Sequence, residues 1–206
     1  MYFMIRLFKI LFLCLVVFIG RVDANGADAV SIMNAASSKI TGKSVSAAFT
    51  VSGSFSGRGT IKASGKKFAV ETGSSSVWYD GKSMYTYSSG TGEVTVTIPS
   101  VDELAEINPL TYITGWRSMF TVTMAKNQPK SGYCIMLSPR KRGGTVSKAV
   151  VTMSSKHIVR KIVIKTRQGK TYSIAVTGFR TGISYPVSAF EFPRTKYKKA
   201  KIIDLR

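Results

Sequence analysis

From Ser44 onward, apolar residues recur at every second position. Val45, Ala47, Phe49 and Val51 share one parity, and the positions between them are mostly Ser, Thr or Ala. A period of two puts alternate side chains on opposite faces of an extended chain, so the pattern commits this part of the sequence to strands. Six strands are expected near 44–52, 55–63, 66–71, 75–80, 83–88 and 93–98. Five more fall near 119–125, 132–138, 147–154, 158–165 and 171–178, and a last one near 200–205. Turn signals separate them, among them Asp80-Gly81, Lys156-His157 and Gln168-Gly169-Lys170. Two segments depart from the pattern. Between Ala27 and Ile40 the apolar residues Ala29, Val30, Ile32, Met33, Ala36 and Ile40 return near helical spacing, with Thr41-Gly42 as a stop. At Asn108-Pro109, Asn can cap a helix and Pro can open it, after which Leu110, Ile113, Trp116 and Phe120 line one side. Many short strands with two helical inserts predict a mainly β protein, an antiparallel barrel or strongly curved sheet.

The stretch VWYDGKSMYTY, Val77 to Tyr87, sets aromatic strands around an Asp-Gly pair, which predicts a hairpin with a tight primed turn. Its rings can fill a sealed core or line a concavity, and alternation alone does not choose between these.

The N-terminal residues MYFMIRLFKILFLCLVVFIGRVDA combine Arg6 and Lys9, an apolar run from Ile10 to Ile19 and a V-x-A site at Val22–Ala24. They read as a cleavable secretory signal over residues 1–24, with residues 25–206 as a single exported domain. Cys14 sits inside the apolar run after the bulky Leu13, which does not suit a lipid-modified cysteine. Cleavage leaves Cys134 alone, so no intramolecular disulfide forms and stability must come from a core. From 30 basic and 10 acidic residues, loss of Arg6, Lys9, Arg21 and Asp23 leaves 27 and 9, a net charge of +18. For an exported chain this points away from nucleic acid and toward an anionic membrane surface.

Catalysis finds thin stock. The exported part has one histidine, one cysteine and scattered carboxylates. His157 and Cys134 make neither a zinc site, which takes three or four ligands, nor a supported nucleophile pair. Gly81-Lys82-Ser83 lacks the first glycine of a phosphate loop, since position 76 is Ser. Ser64-Gly-Lys-Lys67 and Ser138-Pro-Arg-Lys141 match S-x-x-K without companion motifs. No enzyme and no cofactor or metal is expected.

The order of signal, helix, Phe-bearing strand (SAAFTVSGSFSGRGTIKASGKKF), VWYDGKSMYTY hairpin, Pro-led helix and a tail with Phe190-Glu191-Phe192 then AKIIDLR resembles the periplasmic lipoprotein carriers of the LolA family. The resemblance spans roughly residues 27–206. It implies an unclosed antiparallel β-barrel under a helical lid, acting in the periplasm as a monomer. In that role it would shield lipoprotein acyl chains, or another lipid, between an inner-membrane lipoprotein-releasing ABC transporter and an outer-membrane acceptor. It matches Phe49, Phe68, Tyr85 and Tyr87 to the family's aromatic positions and the two helices to its lid. The expected acyl site is then Val30, Met33, Ile40, Phe49, Phe68, Tyr85, Tyr87, Ile113, Trp116 and Phe120, with the adaptable Met84, Met119 and Met124 beside Met33. The family's Arg-Pro pair, whose arginine fastens the lid, is replaced here by Ala63-Ser64-Gly65-Lys66-Lys67. Lid closure must therefore differ. The alternative use of the same cup is a periplasmic sensor or envelope-complex interaction module.

Overall fold

The computed structural model describes residues 24–206; apart from Ala24, the expected signal lies outside them. Twelve strands belong to one sheet that does not close: β1 Ser44–Gly53, β2 Gly57–Ser64, β3 Lys67–Thr72, β4 Ser75–Tyr79, β5 Met84–Ser88, β6 Glu93–Thr97, β7 Phe120–Met124, β8 Tyr133–Pro139, β9 Val146–Met153, β10 Val159–Thr166, β11 Thr171–Thr181 and β12 Lys201–Asp204. Their order in the sheet is β12-β6-β5-β4-β3-β2-β1-β11-β10-β9-β8-β7. β1 and β11 join the two halves, from Val45 opposite Thr181 to Gly53 opposite Tyr172, with a bulge between Ser46 and Ala48. Every expected strand is present. The one departure from antiparallel order is β12, which runs parallel to β6. A parallel neighbour needs a crossover, and residues 182–200 supply it by crossing the outer face of β3–β6.

The sheet is therefore buried on both sides where that strap lies. On the concave face, Phe68, Val70, Val77 and Met84 join the main core. On the outer face, Ala69, Trp78, Val94 and Val96 form a second core with Phe190 and Phe192 of the strap. Tyr85 stacks on Phe192 at 5.5 Å, Trp78 meets Phe192 and Tyr197 edge-on at 5.5 Å each, and Tyr87 packs on Tyr197 at 4.3 Å. Phe190 belongs to a short 3-10 helix, Val187–Phe190, that presses on β3.

The β4–β5 turn differs slightly from expectation. Gly81 and Lys82 are its central pair, not Asp80 and Gly81, because Asp80 N–H donates to the carbonyl of Ser83 and Gly81 takes φ 102°. Asp80 Oδ1 accepts from the Lys82 and Ser83 amides at 2.8 Å each. Beyond β12, Arg206 reaches the Ser83 hydroxyl at 3.3 Å and the Asp204 carboxylate at 2.6 Å. The Arg206 side chain, then its backbone amide, lowers the Asp204 pKa to about 2. A depressed carboxyl stabilises the fold above its ordinary value of 3.8, and that contribution disappears as pH falls toward about 2. A carboxyl NMR titration should show Asp204 still ionised at pH 3; an ordinary midpoint would refute the clamp.

Helix α1, Ala24–Ser38, lies across β7 with lesser contact on β8. Ala29, Ile32, Met33 and Ala36 form its buried stripe, continued by Ile40 beyond its end, at spacings of three and four. The helix expected from Pro109 to Phe120 is two short turns, α3 Thr111–Thr114 and α4 Trp116–Met119, broken at Gly115. Gly115 sits close under the Thr111 carbonyl and Met119 Sδ, where an added Cβ would lie 3.1 and 3.3 Å away. An unforeseen helix, α2 Val101–Ile107, precedes them. It begins at a capping box: Ser100 Oγ accepts from Glu103 N–H at 3.3 Å, and Glu103 Oε2 accepts from Ser100 N–H at 2.7 Å. The Ser100 amide first, then the Ser100 hydroxyl, which donates to the same Oε2 at 2.8 Å, lower the Glu103 pKa.

Candidate functional site

Along β1 the inward residues change character. Val45 and Ala47 are buried, whereas Phe49 and Val51 are half-buried. The same gradient divides the whole concave face. At the Val45 end, α1, α3 and α4 press Met33, Ile113 and Trp116 onto Ile61, Ile135, Leu137, Val151 and Ile162, and the space is filled. At the other end the strands continue to offer apolar side chains with less helix above them, and two chambers open there among the described residues.

The first chamber, about 540 Å³, is walled by Phe49, Val51, Val70, Val77, Ile164 and Ile174 of the strands and roofed by Ile107, Pro109 and Tyr112. Phe55, 61% exposed in the β1–β2 turn, stands at its mouth. The second, about 570 Å³, lies between Val101 and Ala105 of α2, Met119, Phe120, Pro139 and the Lys141–Val146 segment. Tyr112, Thr145 and Val146 border both. Each is of the size that holds a small apolar ligand.

Two threonine hydroxyls in the first chamber are already engaged. Thr72 Oγ1 donates to Ser75 O at 2.9 Å and accepts from Ser75 N–H, and Thr166 Oγ1 accepts from Lys170 N–H at 3.1 Å. Among the described residues no buried side-chain nitrogen or oxygen lacks a partner. The strand walls, Phe49, Val51, Val70, Val77, Ile164 and Ile174, present apolar area rather than directional bonds, which suits hydrocarbon. Each methylene taken from water into such a wall gains about 0.8 kcal/mol.

Gly59 sets one wall. It pairs with Phe49, and an added Cβ would lie 2.8 Å from Phe49 Cζ and collide with the Glu71 backbone carbonyl. Gly59→Ala should displace the Phe49 ring and destabilise the fold by about 1–3 kcal/mol. Unchanged urea unfolding would contradict this close approach.

Of the ten residues expected from sequence, Phe49 and Phe120 line the chambers. Met33, Ile40, Phe68, Ile113 and Trp116 lie in the filled part of the core. Val30 is on the exposed side of α1, at 36%. Tyr85 and Tyr87 lie on the outer face, beneath the strap. The hairpin is apolar at both parities, so the sequence does not distinguish its inner residues, Val77 and Tyr79, from its outer rings. Val51, Val70, Ile164, Ile174 and Ile107 were missed as lining residues; Val51 carried a signal, its shared parity with Phe49.

The helices are fastened by another arginine. Arg117 Nη2 donates to Asn34 Oδ1 at 2.8 Å, tying α4 to α1, and its guanidinium lies 5.0 Å over Trp116. His157, at φ 59°, stacks on Tyr133 at 5.1 Å, and Cys134 Sγ is 3.8 Å from Thr152 Oγ1. Among the described residues no three His, Cys, Asp or Glu side chains converge as metal ligands. No described helix is long and apolar enough to cross a membrane.

Among solved structures, an uncharacterized conserved protein from Thermus thermophilus shares the fold at TM-score 0.58 and 12% identity, with 85% of this chain and 98% of that one aligned. A LolA superfamily protein from Nitrosomonas europaea aligns at TM-score 0.44 and 10% identity, over 80% of this chain and 97% of that one. No curated protein matches the sequence. The family described as outer membrane lipoprotein carrier protein LolA matches residues 20–170. With most of the chain inside that match, and an unclosed sheet cupped around an apolar cavity, the protein belongs to the LolA family of outer membrane lipoprotein carriers.

Proposed function

We propose that the protein is a periplasmic carrier, exported by the residue 1–24 signal, whose domain of residues 25–206 shields lipoprotein acyl chains on their way from an inner-membrane transporter to an outer-membrane acceptor. The observation that carries this reading is the pair of apolar chambers left where the helices stop covering the cupped sheet. The strand side chains that wall the first chamber, Phe49, Val51, Val70, Val77, Ile164 and Ile174, are hydrocarbon surfaces that suit shielding an acyl chain. A carrier must also release its cargo. An open sheet edge and a roof of short helical pieces leave the cavity less rigidly sealed than the core beside it.

The direct test is a triacylated lipopeptide offered to the purified protein, with native mass spectrometry as the readout. We expect a one-to-one complex. Val51→Trp should fill the first chamber and abolish that complex while leaving thermal stability nearly unchanged, since the added ring occupies empty space. Lack of binding by the unaltered protein, together with recovery of a partner protein from envelope extracts, would favour the interaction-module reading. Lipopeptide binding indifferent to Val51→Trp would move the site elsewhere.

A further inference from the structure

We infer that the two chambers accept a diacyl membrane lipid with an anionic headgroup, one chain in each, with the headgroup held at a cationic lip formed by Lys141, Arg142 and Lys170. This deepens the carrier reading and rests on it. Lys141 and Arg142 border the second chamber and Lys170 the first, and all three are exposed. The chambers share Thr145, the residue that ends the basic loop between β8 and β9. An apolar pair of compartments with charge only at the mouth is laid out as an amphiphile is, chain inward and headgroup outward.

The loop is built rather than loose. Arg140 Nε donates to the Phe120 carbonyl at 2.9 Å, and its amide donates to the Met119 carbonyl. From the other side, Arg167 Nε donates to the Gly144 carbonyl at 2.8 Å. Two arginines thus fasten the segment to its neighbours, which fixes where Lys141 and Arg142 stand. Among the described residues the ion pairs are Lys201–Glu93 and Arg206–Asp204, both on β6 and the C-terminal segment, away from the lip. Glu103 of α2 is held at Ser100 in the helix cap. A headgroup phosphate would pair with the lip's cations, and charge complementarity of this kind sets selectivity more than total affinity.

The test incubates the exported chain with vesicles of equal parts dioleoyl phosphatidylglycerol and dioleoyl phosphatidylcholine, separates the protein, and counts bound lipid by native mass spectrometry. We expect one lipid per chain, with phosphatidylglycerol favoured about ten-fold. The triple variant Lys141→Glu, Arg142→Glu, Lys170→Glu should bring that ratio to parity or below, with an unchanged circular dichroism spectrum and thermal midpoint showing that it is folded. A second variant, Lys196→Glu with Lys198→Glu and Lys199→Glu, alters charge on the strap. It should reduce association with the vesicles but leave the ratio of bound lipids unchanged. Equal loading of the two lipids by the unaltered protein, or a preference abolished by the strap variant alone, would overturn the inference. Binding of lipopeptide with no preference for phosphatidylglycerol would leave the carrier reading standing and this inference refuted. Binding of neither would overturn both.

Discussion

Phe192→Ala should free the C-terminal strap while leaving the cavity folded. Phe192 is buried against Trp78 and stacked Tyr85 of the sheet, and it also stacks on Tyr197 of the strap itself. Removing a buried Phe side chain costs about 3–5 kcal/mol. Here the cost falls on a small core of its own, separated from the main one by the thickness of the sheet. The opened population of the strap should therefore rise by about a hundred-fold or more, since each 1.4 kcal/mol is a factor of ten. Arg194, Lys196, Lys198, Lys199 and Lys201 make trypsin a ready reporter. Expected is fast cleavage within 194–201 in the variant, with residues before the strap left intact and lipopeptide still bound. Fragmentation throughout the sheet would show instead that the two cores unfold as one unit.

Trp116→Ala should do the opposite, lowering global stability by about 3–5 kcal/mol without reshaping the chambers. Trp116 is 3% exposed, lies in the filled end of the cup, and borders neither chamber. Its loss leaves a void where α4 meets the main core, and Arg117 loses the ring beneath its guanidinium, although its bond to Asn34 need not break. The midpoint of urea unfolding should fall steeply, while lipopeptide affinity, measured where the variant is still folded, should stay within about two-fold of the unaltered protein. A variant that remains stable but binds poorly would return Trp116 to the binding surface.

The contrast between these two aromatic positions shows what could be read from the sequence. Strands were legible because a period of two leaves a clear mark, and every strand from β1 to β12 was placed near its observed position. The cup was legible through the resemblance of its element order. The short helix α2 is not evident from the sequence although Ser100 and Glu103 spell its capping box, because seven residues make only two turns, too short a window to establish a helical period. Side-chain destination was the least legible quantity. Tyr85 and Met84 are adjacent and both apolar, yet Met84 faces the main core and Tyr85 the strap. That choice depends on residues 182–200 crossing the outer face, a long-range event with no local trace in β4 or β5. The chambers depend in the same way on where the helices stop, and an apolar residue under a helix reads the same as one under empty space.

The parallel pairing of β12 with β6 also fixes an order of events in the birth of the molecule. Lys201 and its partner Glu93 stand 108 positions apart in the chain. A chain made from its N terminus can form β2 through β6 early by adjacent hairpins, but β6 keeps a bare edge, and Trp78, Tyr85 and Tyr87 lie uncovered, until residues 185–204 have been delivered. Long-range pairings of this kind form slowly, and an unpaired edge beside exposed rings invites association with other chains. The nascent protein should accordingly need an escort until residues 185–204 have been made, and their arrival sets its release.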